Sequence, residues 1–354
     1  MGIIAEKDIR LSNIKGLLIF LVVFGHLMEL YKREYYELFV FIYAFHMPLF
    51  IFISGYLAKR MKLSKIVNLL LLYLIFQCIF EWFLFLIGDH QTLQFHFGIP
   101  QFHLWYIVSL GFWYGIAWII SKVKFNTLGK WLVFLFIFII CFISRWYTDA
   151  IVEYVRQYYE GFSSYTLSFQ RTLTFMPFFF AGFFIDKKLF EKGYSLIVSK
   201  KAQLILGFTS MFLVFIYIQS TPGLESIFRG SFGTHRFMAE SEGVSIYTIK
   251  ILTHYSLAGW ISLLIINCVS EKKSILTKWG DHSLTIFLFH PVLVFIIGRM
   301  EFMSEWEADL KVLSFLIMAI GISYVLGSSS FMKLTKYICQ PYKALEKLVQ
   351  KIRP

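Results

Sequence analysis

Two ionisable residues in the first apolar stretch have the types and spacing to act on one substrate. The stretch Ile14–Leu30 is apolar apart from Lys15, His26 and Glu29. Lys15 and His26 share one face of an α-helix, about 16 Å apart along its axis. An imidazole can take a proton from a hydroxyl group near neutral pH, and an ammonium group can hold an anion. Such groups inside a membrane span indicate function; the alternative is a packing histidine and a lysine anchoring the helix at the cytoplasmic edge.

The composition predicts the kind of element that positions these residues. Of the 354 residues, 58% are hydrophobic and 16% charged, whereas about a quarter of the residues in soluble domains are charged. The apolar runs are continuous, unlike the alternating strands of a membrane β-barrel. We attribute the net charge of +12 to basic cytoplasmic loops that face anionic lipid. We therefore predict no nucleic-acid partner. We predict an all-α polytopic membrane protein, a single domain over residues 1–354 with a basic amphipathic tail from about 329 to 354.

Ten transmembrane helices are predicted, with both termini in the cytoplasm. The spans are about 14–31, 39–57, 66–88, 103–120, 131–147, 171–185, 202–219, 248–269, 284–298 and 312–328. In this topology the inner segments carry 24 of the 34 Lys and Arg residues, as the positive-inside rule requires. The inner segments are 1–15, 58–65, 121–130, 186–201, 270–283 and 329–354. Spans six and nine are short for a bilayer of about 30 Å.

Polar and aromatic residues of other spans are predicted to line the site around His26 or to contact the substrate that carries the hydroxyl group. They are His46, His103, Trp105, Arg171 and His290. His26, His46 and His103 fall in the outer half under one topology, and packing alone explains this convergence poorly because each buried imidazole needs a hydrogen-bonding partner. The alternative is that each is a satisfied packing residue.

Prolines and small residues predict local features of two spans. Pro48 in the second span is expected to kink the helix, and His290–Pro291 to break the ninth. Ser54 and Gly55 are expected to allow close helix packing. The four cysteines are scattered and form no metal-binding motif, so no metal site is predicted.

Several phrases of the sequence resemble the acyltransferase-3 family of integral membrane acyltransferases. The first is Lys15, ten residues and then His26; the second is FHMPLFIFISGYL; the weaker HLWYI, RTLTFMPFFFAGF and LFHPVL follow in order. The chain is most similar to the fucose 4-O-acetylase-like and capsular polysaccharide O-acetyltransferase branch. The resemblance implies ten helices, a cytoplasmic acyl-CoA donor, an acceptor sugar on the far side and an essential His26. Many members have arginine where this chain has Lys15, and the Arg-x-x-Arg motif of part of the family is absent here.

Acyl transfer from a thioester to a hydroxyl group assigns roles to these residues. The reaction needs a base for the hydroxyl proton or a nucleophile that carries the acyl group, and His26 suits the first role. Coenzyme A is polyanionic, so its phosphates need cations at the cytoplasmic edge. Lys15, Lys59, Arg60 and Lys62 are the predicted donor-binding residues; the alternative for the last three is an ordinary positive-inside loop.

These observations predict an O-acyltransferase of the bacterial plasma membrane, most simply an acetyltransferase. Its co-substrate would be acetyl-CoA, with no permanently bound cofactor, and its acceptor a cell-surface or lipid-linked polysaccharide. The other partner is membrane lipid. Two alternatives remain open from the residues: an exporter of polysaccharide or lipid-linked sugar, and a non-catalytic membrane partner in glycan assembly. An exporter more readily shows paired repeats or interrupted helices in matching halves, and no such repeat is apparent.

Overall fold

The computed structural model of the chain describes residues 8–59, 62–193, 199–221, 223–230, 243–300 and 303–352. The regular elements of these residues are all helical, which confirms the predicted all-α class. The helices are α1 (Ile9–Glu29), α2 (Tyr36–Leu57), α3 (Leu63–Leu86), α4 (Trp105–Ile120), α5 (Thr127–Arg156), α6 (Phe169–Phe184), α7 (Lys187–Gly193), α8 (Lys200–Ser220), α9 (Leu224–Arg229), α10 (Val244–Cys268), α11 (Ile275–Asp281), α12 (Ser283–Arg299), α13 (Ala308–Leu326), α14 (Ser329–Cys339) and α15 (Pro341–Ile352).

Seven of the described helices are long and apolar enough to cross a membrane: α1, α2, α3, α5, α8, α10 and α13. The bent pair α11 and α12 is an eighth candidate if it counts as one span. Helices α4 and α6, with 16 residues each, are about 24 Å long, shorter than a hydrocarbon core of about 30 Å. The chain is therefore a multi-pass membrane protein. Each predicted span overlaps a helix, and the number ten stays a prediction.

The boundaries of the fifth span differ most from the prediction. Helix α5 runs from Thr127 to Arg156, past residue 147 where that span was expected to end. At 30 residues it is about 45 Å long, so it extends beyond the hydrocarbon core. The added residues, TDAIVEYVR, contain neither glycine nor proline, so nothing in the sequence ends the helix at the membrane edge.

The chain divides into two compact units. The first comprises Met1–Phe50, Lys187–Ser220 and Gly259–Thr335, and the second comprises Ile51–Asp186, Thr221–Ala258 and Lys336–Pro354. Helix α2 runs without interruption through Pro48 and passes from the first unit into the second.

In the first unit, α1 packs backbone to backbone against α11. A Cβ atom on Gly16 would collide with the carbonyl oxygen of Leu276, and one on Gly280 with that of Ser12. The buried Asn13 side chain holds the start of α1 by donating to the carbonyl oxygens of Ser270 at 2.7 Å and Lys272 at 2.9 Å. Since hydrogen bonds and backbone contact fix the same turns, α1 is held firmly along its axis.

The ninth predicted span is bent at a different residue from the one expected. Helix α12 continues through His290 and Pro291, so the predicted break there is wrong. A proline removes only its own N–H bond, and the flanking turns can continue the helix. The bend of 87° lies at His282, between α11 and α12. Its ring Nδ1 donates to the carbonyl oxygen of Gly327 at 2.6 Å, which supports the chain where the helix is interrupted.

In the second unit, the end of α2 packs closely against α6. A Cβ atom on Gly55 would meet the carbonyl oxygen of Phe179, and one on Gly182 that of Phe52. The predicted role of Gly55 in close packing is confirmed. Helix α4 is joined to α6 through Thr172, whose carbonyl oxygen accepts from Trp113 Nε1 at 3.0 Å. Helix α6 thus contacts α4 near its start and the end of α2 near its own end.

The predicted tail forms two helices, α14 and α15, which meet at Gln340. The backbone N–H of Tyr342 donates to Asn68 Oδ1 of α3 at 3.2 Å, which ties α15 to the second unit. Leu345, Leu348 and Val349 of α15 are exposed apolar side chains, and contact of this segment with a membrane surface stays a prediction.

Candidate active site

His26 lies in the last turn of α1, next to a carboxylate. Its Nδ1 is 3.4 Å from Oε2 of Glu29, which follows at the i+3 position and therefore shares its face of the helix. Both side chains are 31% exposed, so a substrate can reach them. The single helix α1 carries Lys15 and His26 as expected.

Tyr43 of α2 reaches the same carboxylate. Its hydroxyl donates to Glu29 Oε2 at 3.4 Å, and its ring meets the His26 ring edge-on with 6.5 Å between centroids. Gly25 makes this approach possible, because a Cβ atom there would lie only 3.3 Å from Tyr43 Cε2. Glu29 thus faces both an imidazole and a phenol.

Two of the predicted site-lining histidines lie close to these residues. The His290 ring centroid is 5.3 Å from that of His26, and the His46 ring is 4.8 Å from that of Tyr43. Each ring donates its Nδ1 proton to the carbonyl oxygen four residues earlier, His46 to Ile42 at 2.7 Å and His290 to Ile286 at 3.0 Å. A carbonyl only accepts, so the neutral rings carry the lone pair on Nε2. We call His26, Glu29, Tyr43, His46 and His290 the histidine cluster.

Within the histidine cluster, exposure separates the three imidazoles. His46 is 2% and His290 0% exposed, whereas the His26 side chain is 31% exposed. His26 is therefore the imidazole best placed to meet a substrate hydroxyl group. Because Nδ1 faces the carboxylate, the uncharged ring presents Nε2 as its base, and Glu29 can stabilise the imidazolium that forms.

An ion pair between the buried Lys311 and the exposed Glu34 holds the connection between α1 and α2. Lys311 Nζ lies 2.7 Å from Glu34 Oε1 and 4.6 Å from the centre of the Tyr31 ring. The Tyr35 hydroxyl donates to Glu34 and to the carbonyl oxygen of Ala308. Burial, followed by the bond to Glu34, raises the pKa of Tyr35 above its usual range. This hydroxyl therefore stays a donor at physiological pH, and the connection after His26 is fixed to α13.

The remaining predicted acceptor-side residues lie in the second unit. The Arg171 guanidinium is 5.1 Å from the centre of the Trp105 ring, which stacks on Phe175 at 5.5 Å. The buried His103 packs against Phe80 with ring centroids 5.9 Å apart. The structure thus brings Trp105 and Arg171 together as a cation–π pair, with Phe175 stacked on the same ring.

The predicted donor-binding residues are divided between the units. Lys15 is half-buried on α1 of the first unit, whereas Lys59 and Lys62 belong to the second. Arg60 lies outside the described residues. Lys62 is an exposed residue just before α3. Lys59 lines a cavity of about 250 Å³ with Lys130 and Asp186, which we call the lysine cavity.

A buried polar group in the second unit escaped the sequence-based reasoning. Arg145 donates to His254 Nδ1 at 3.3 Å and to the carbonyl oxygen of Ile227 at 3.1 Å, and its guanidinium lies 6.0 Å from the centre of the Tyr255 ring. The backbone carbonyl of Arg145 accepts from the Tyr247 hydroxyl at 3.2 Å. We call Arg145, Tyr247, His254 and Tyr255 the arginine–histidine cluster. An arginine inside a predicted span was the signal that could have found it.

Among the residues that the structure describes, no three His, Cys, Asp or Glu side chains are grouped so as to hold a metal ion. The chemistry that the histidine cluster can supply is proton transfer at Nε2 of His26, with a carboxylate behind the ring. The chain is thus an integral membrane protein in which an accessible imidazole, that of His26, lies next to a carboxylate, that of Glu29.

Comparison with known proteins assigns the chain to a family. The profile described as an acyltransferase domain, that of the acyltransferase-3 family, matches residues 8–328. The chain therefore belongs to this family of membrane acyltransferases, and the resemblance seen in the Lys15–His26 spacing is confirmed.

One characterised relative matches over part of its length. The nodulation protein NolL of Sinorhizobium fredii (strain NBRC 101917 / NGR234) is 30% identical over 150 residues, covering 36% of this chain and 40% of that protein. The chain thus matches less than half of this relative. No solved structure matches the chain.

Proposed function

We propose that the protein is an O-acyltransferase that moves an acyl group, most simply acetyl, from acyl-CoA to a hydroxyl group of a cell-surface or lipid-linked polysaccharide. One observation carries the proposal. The exposed imidazole of the histidine cluster is His26, at the position that the family's basic residue–ten residues–His pattern marks, and a carboxylate lies 3.4 Å from its Nδ1.

In the proposed reaction His26 is the general base. Its Nε2 takes the proton of the acceptor hydroxyl as the hydroxyl oxygen attacks the thioester carbonyl carbon. The carbon–sulfur bond then breaks, and the imidazolium returns the proton to the leaving thiolate, so that an ester and free coenzyme A result. Glu29 is a positioning residue that orients the ring and stabilises its charged form, as the aspartate of a Ser-His-Asp triad does.

The proposed arrangement places the donor on the cytoplasmic side and the acceptor on the far side of a bacterial plasma membrane. The distribution of Lys and Arg supports this orientation. Lys15 lies about 16 Å from His26 along α1, so it would face the phosphates when the thioester reaches the imidazole. Contact of Trp105 and Arg171, which belong to the second unit, with the sugar acceptor stays a prediction from the sequence.

Turnover by purified protein tests the proposal. Protein in lipid nanodiscs is incubated with acetyl-CoA and isolated surface glycan, release of free thiol is followed, and the glycan is examined by NMR. We expect thiol release that depends on glycan and a new acyl ester on one sugar. The His26→Gln protein, expressed to the same level, is the matched control. An absence of glycan-dependent thiol release by folded wild-type protein would instead favour an exporter or a non-catalytic assembly partner.

Orientation is tested separately by labelling. A single cysteine at position 62, in a variant without the four native cysteines, is treated with a membrane-impermeant maleimide. We expect labelling only after the membrane is opened. Labelling of intact cells would place Lys62 outside and overturn the donor-side assignment.

A further inference from the structure

The α3–α4 segment, residues 87–104, is irregular and turns back along α3 in the second unit. Gly88, with a φ of 76°, follows the end of α3, and the backbone N–H groups of Asp89 and His90 both donate to the carbonyl oxygen of Leu84. A positive φ of this size favours glycine, which lacks a Cβ atom. The chain therefore reverses direction at once and stays beside α3.

Three buried polar residues on one face of α3 hold the segment. Tyr73, Gln77 and Glu81 follow one another at the i+4 spacing, which places them on the same side of the helix, and all three are buried. Glu81 accepts a hydrogen bond from Gln101 Nε2 at 2.8 Å, and its other carboxylate oxygen lies 3.1 Å from His90 Nδ1. Both ends of the segment are thus fixed to the same carboxylate.

Four successive carbonyl oxygens of the segment, those of residues 96–99, accept hydrogen bonds from groups outside it. The pairs are Gln77 Nε2 with His96 at 2.7 Å and with Ile99 at 3.0 Å, the Tyr73 hydroxyl with Phe97 at 2.6 Å, and the backbone N–H of Leu167 with Gly98 at 2.7 Å. The backbone of residues 96–99 is therefore held from two sides, by α3 and by the chain just before α6.

The exposed side chains of the segment alternate between aromatic and hydrogen-bonding types. Phe95 and Phe97 are 42% and 40% exposed, and Gln94 and His96, which alternate with them, are exposed as well. The two phenyl rings are nearly parallel, with 14° between their planes and 6.4 Å between their centroids. Rings and hydrogen-bonding groups are thus presented side by side on a fixed backbone.

A comparison with α5 shows that contact with lipid does not explain this pattern. Helix α5 is a candidate span, and it exposes apolar residues over several turns, among them Leu132, Phe136 and Ile139. A surface that contacts acyl chains gains nothing from an imidazole or an amide, and burying such groups in hydrocarbon is unfavourable. The exposed Gln94 and His96 therefore indicate contact with water or with a polar ligand.

The segment also offers no formal charge to a ligand beyond its first turn. From residue 90 to residue 121 the sequence contains no Lys, Arg, Asp or Glu. A charged ligand would find no opposite charge there, whereas an uncharged sugar offers hydroxyl groups for hydrogen bonds and C–H faces for the aromatic rings. The segment lies between the third and fourth predicted spans, on the side of the membrane on which the acceptor is proposed.

We propose that the α3–α4 segment binds uncharged sugar units of a glycan, which stack on Phe95 and Phe97 and exchange hydrogen bonds with Gln94 and His96. This inference rests on the proposed function only for the class of ligand, and it defines a glycan-binding surface within the second unit alone. The bonds from α3 fix the backbone before the ligand arrives, which lowers the entropy cost of binding.

Binding is measured by calorimetry on purified full-length protein in phosphatidylcholine nanodiscs, without acyl-CoA. The probe is surface glycan of the producing cell, cut to oligosaccharides and freed of acyl esters by mild base. Phe95→Ala and Phe97→Ala should each weaken binding about threefold to tenfold through the loss of one aromatic contact. Phe136→Ala is the matched control and should change nothing, because this phenylalanine is 64% exposed but lies on the apolar face of α5. Added salt should leave the affinity unchanged.

The result does not depend on acyl transfer. Loss of binding in the two phenylalanine variants supports the surface even if no thiol is released from acyl-CoA. Wild-type affinity in both variants, or no glycan binding by folded wild-type protein, overturns it even if acyl transfer is observed. Binding that weakens steeply with salt contradicts an uncharged ligand.

A spin label at position 97, in the variant without the four native cysteines, tests lipid as the alternative occupant. We expect the label to collide with a water-soluble nickel chelate, and added glycan to reduce these collisions. Contact with dissolved oxygen but not with the nickel chelate would assign the surface to lipid and overturn the proposal.

Discussion

In the histidine cluster, the His26 side chain is 31% exposed and its Nδ1 lies 3.4 Å from a carboxylate oxygen. In the arginine–histidine cluster, His254 is 0% exposed and its Nδ1 lies 3.3 Å from a guanidinium nitrogen. The guanidinium donates, so the His254 ring uses its lone pair as an acceptor, whereas the carboxylate leaves the His26 lone pair at Nε2. Both histidines lie in apolar helices, and their neighbours decide which of them can act as a base.

Replacing the two histidines in parallel tests the comparison most strongly. His26→Gln is expected to lower the rate of glycan acylation by about 10²–10⁴-fold, because an amide cannot take up the hydroxyl proton. His254→Gln should keep its activity per folded molecule and lose thermal stability, since the buried amide must replace a ring packed against Phe228 at 5.1 Å. Thermal unfolding and acylation rate are measured on both proteins. Equal loss of activity in the two variants would contradict the assignment of His26 as the base and His254 as a structural residue.

Removing the carboxylate next to His26 is expected to give the next largest effect on catalysis. Glu29→Gln is expected to reduce kcat by about 10–100-fold, less than the roughly 10⁴-fold cost of losing the aspartate of a buried triad, because this pair is partly exposed. The KM values should change little, since the carboxylate acts on the ring and not on the substrate. Glu29→Asp should restore part of kcat. Glu37→Gln, in the first turn of α2, is the control; a KM effect without a kcat effect at Glu29 would assign it to binding.

At the other end of α1, Lys15 should act on the donor alone. Lys15→Ala is expected to raise the KM for acyl-CoA about fivefold, the value of an ion pair of about 1 kcal/mol, with little change in kcat. Lys15→Arg keeps the positive charge and should retain most of the affinity. An unchanged donor KM in folded Lys15→Ala protein would leave Lys15 as a membrane-edge anchor only.

The smallest expected effects separate the tyrosines of the two clusters. Tyr43→Phe removes a long hydrogen bond to Glu29, and we expect a two- to threefold lower kcat from the loss of about 0.5 kcal/mol. Tyr247→Phe removes a buried bond to the Arg145 carbonyl and should cost about 1 kcal/mol of stability without changing activity. Comparing Tm with kcat for both variants checks this, and the reverse pattern would contradict the assignment of roles.

Helical periodicity was sufficient to predict the part of the candidate site that lies on α1. It placed Lys15 and His26 on one helix. His46 and His290 lie in the same unit as His26, whereas His103, which was expected to converge with His26 and His46, lies in the second unit. Glu29 was visible as a polar residue three positions after His26, yet its role needed the side-chain geometry. Tyr43 could not be found this way, because its approach depends on which face α2 turns towards Gly25.

The errors have a physical cause as well. Pro291 suggested a break that the helix accommodates, while the bend lies at His282, whose ring is bonded to a carbonyl some forty-five residues later in the chain. Arg145 lies inside the predicted fifth span, but its burial depends on His254 and on the carbonyl oxygen of Ile227, which belong to distant segments. Such contacts between distant segments leave no periodic signal in the sequence.

The bend of 87° between α11 and α12 has a consequence for bilayers of different thickness. If α12 crosses the membrane along its normal, α11 lies parallel to the surface, and α1 is locked to it at Gly16, about 15 Å along the axis from His26. Hydrophobic mismatch is usually absorbed by tilting or sliding of a span. Here such movement would drag an interfacial helix with it. The height of the imidazole relative to the interface in which α11 lies should therefore stay constant in thin and thick membranes; under the proposed function, this would suit a donor arm of fixed length.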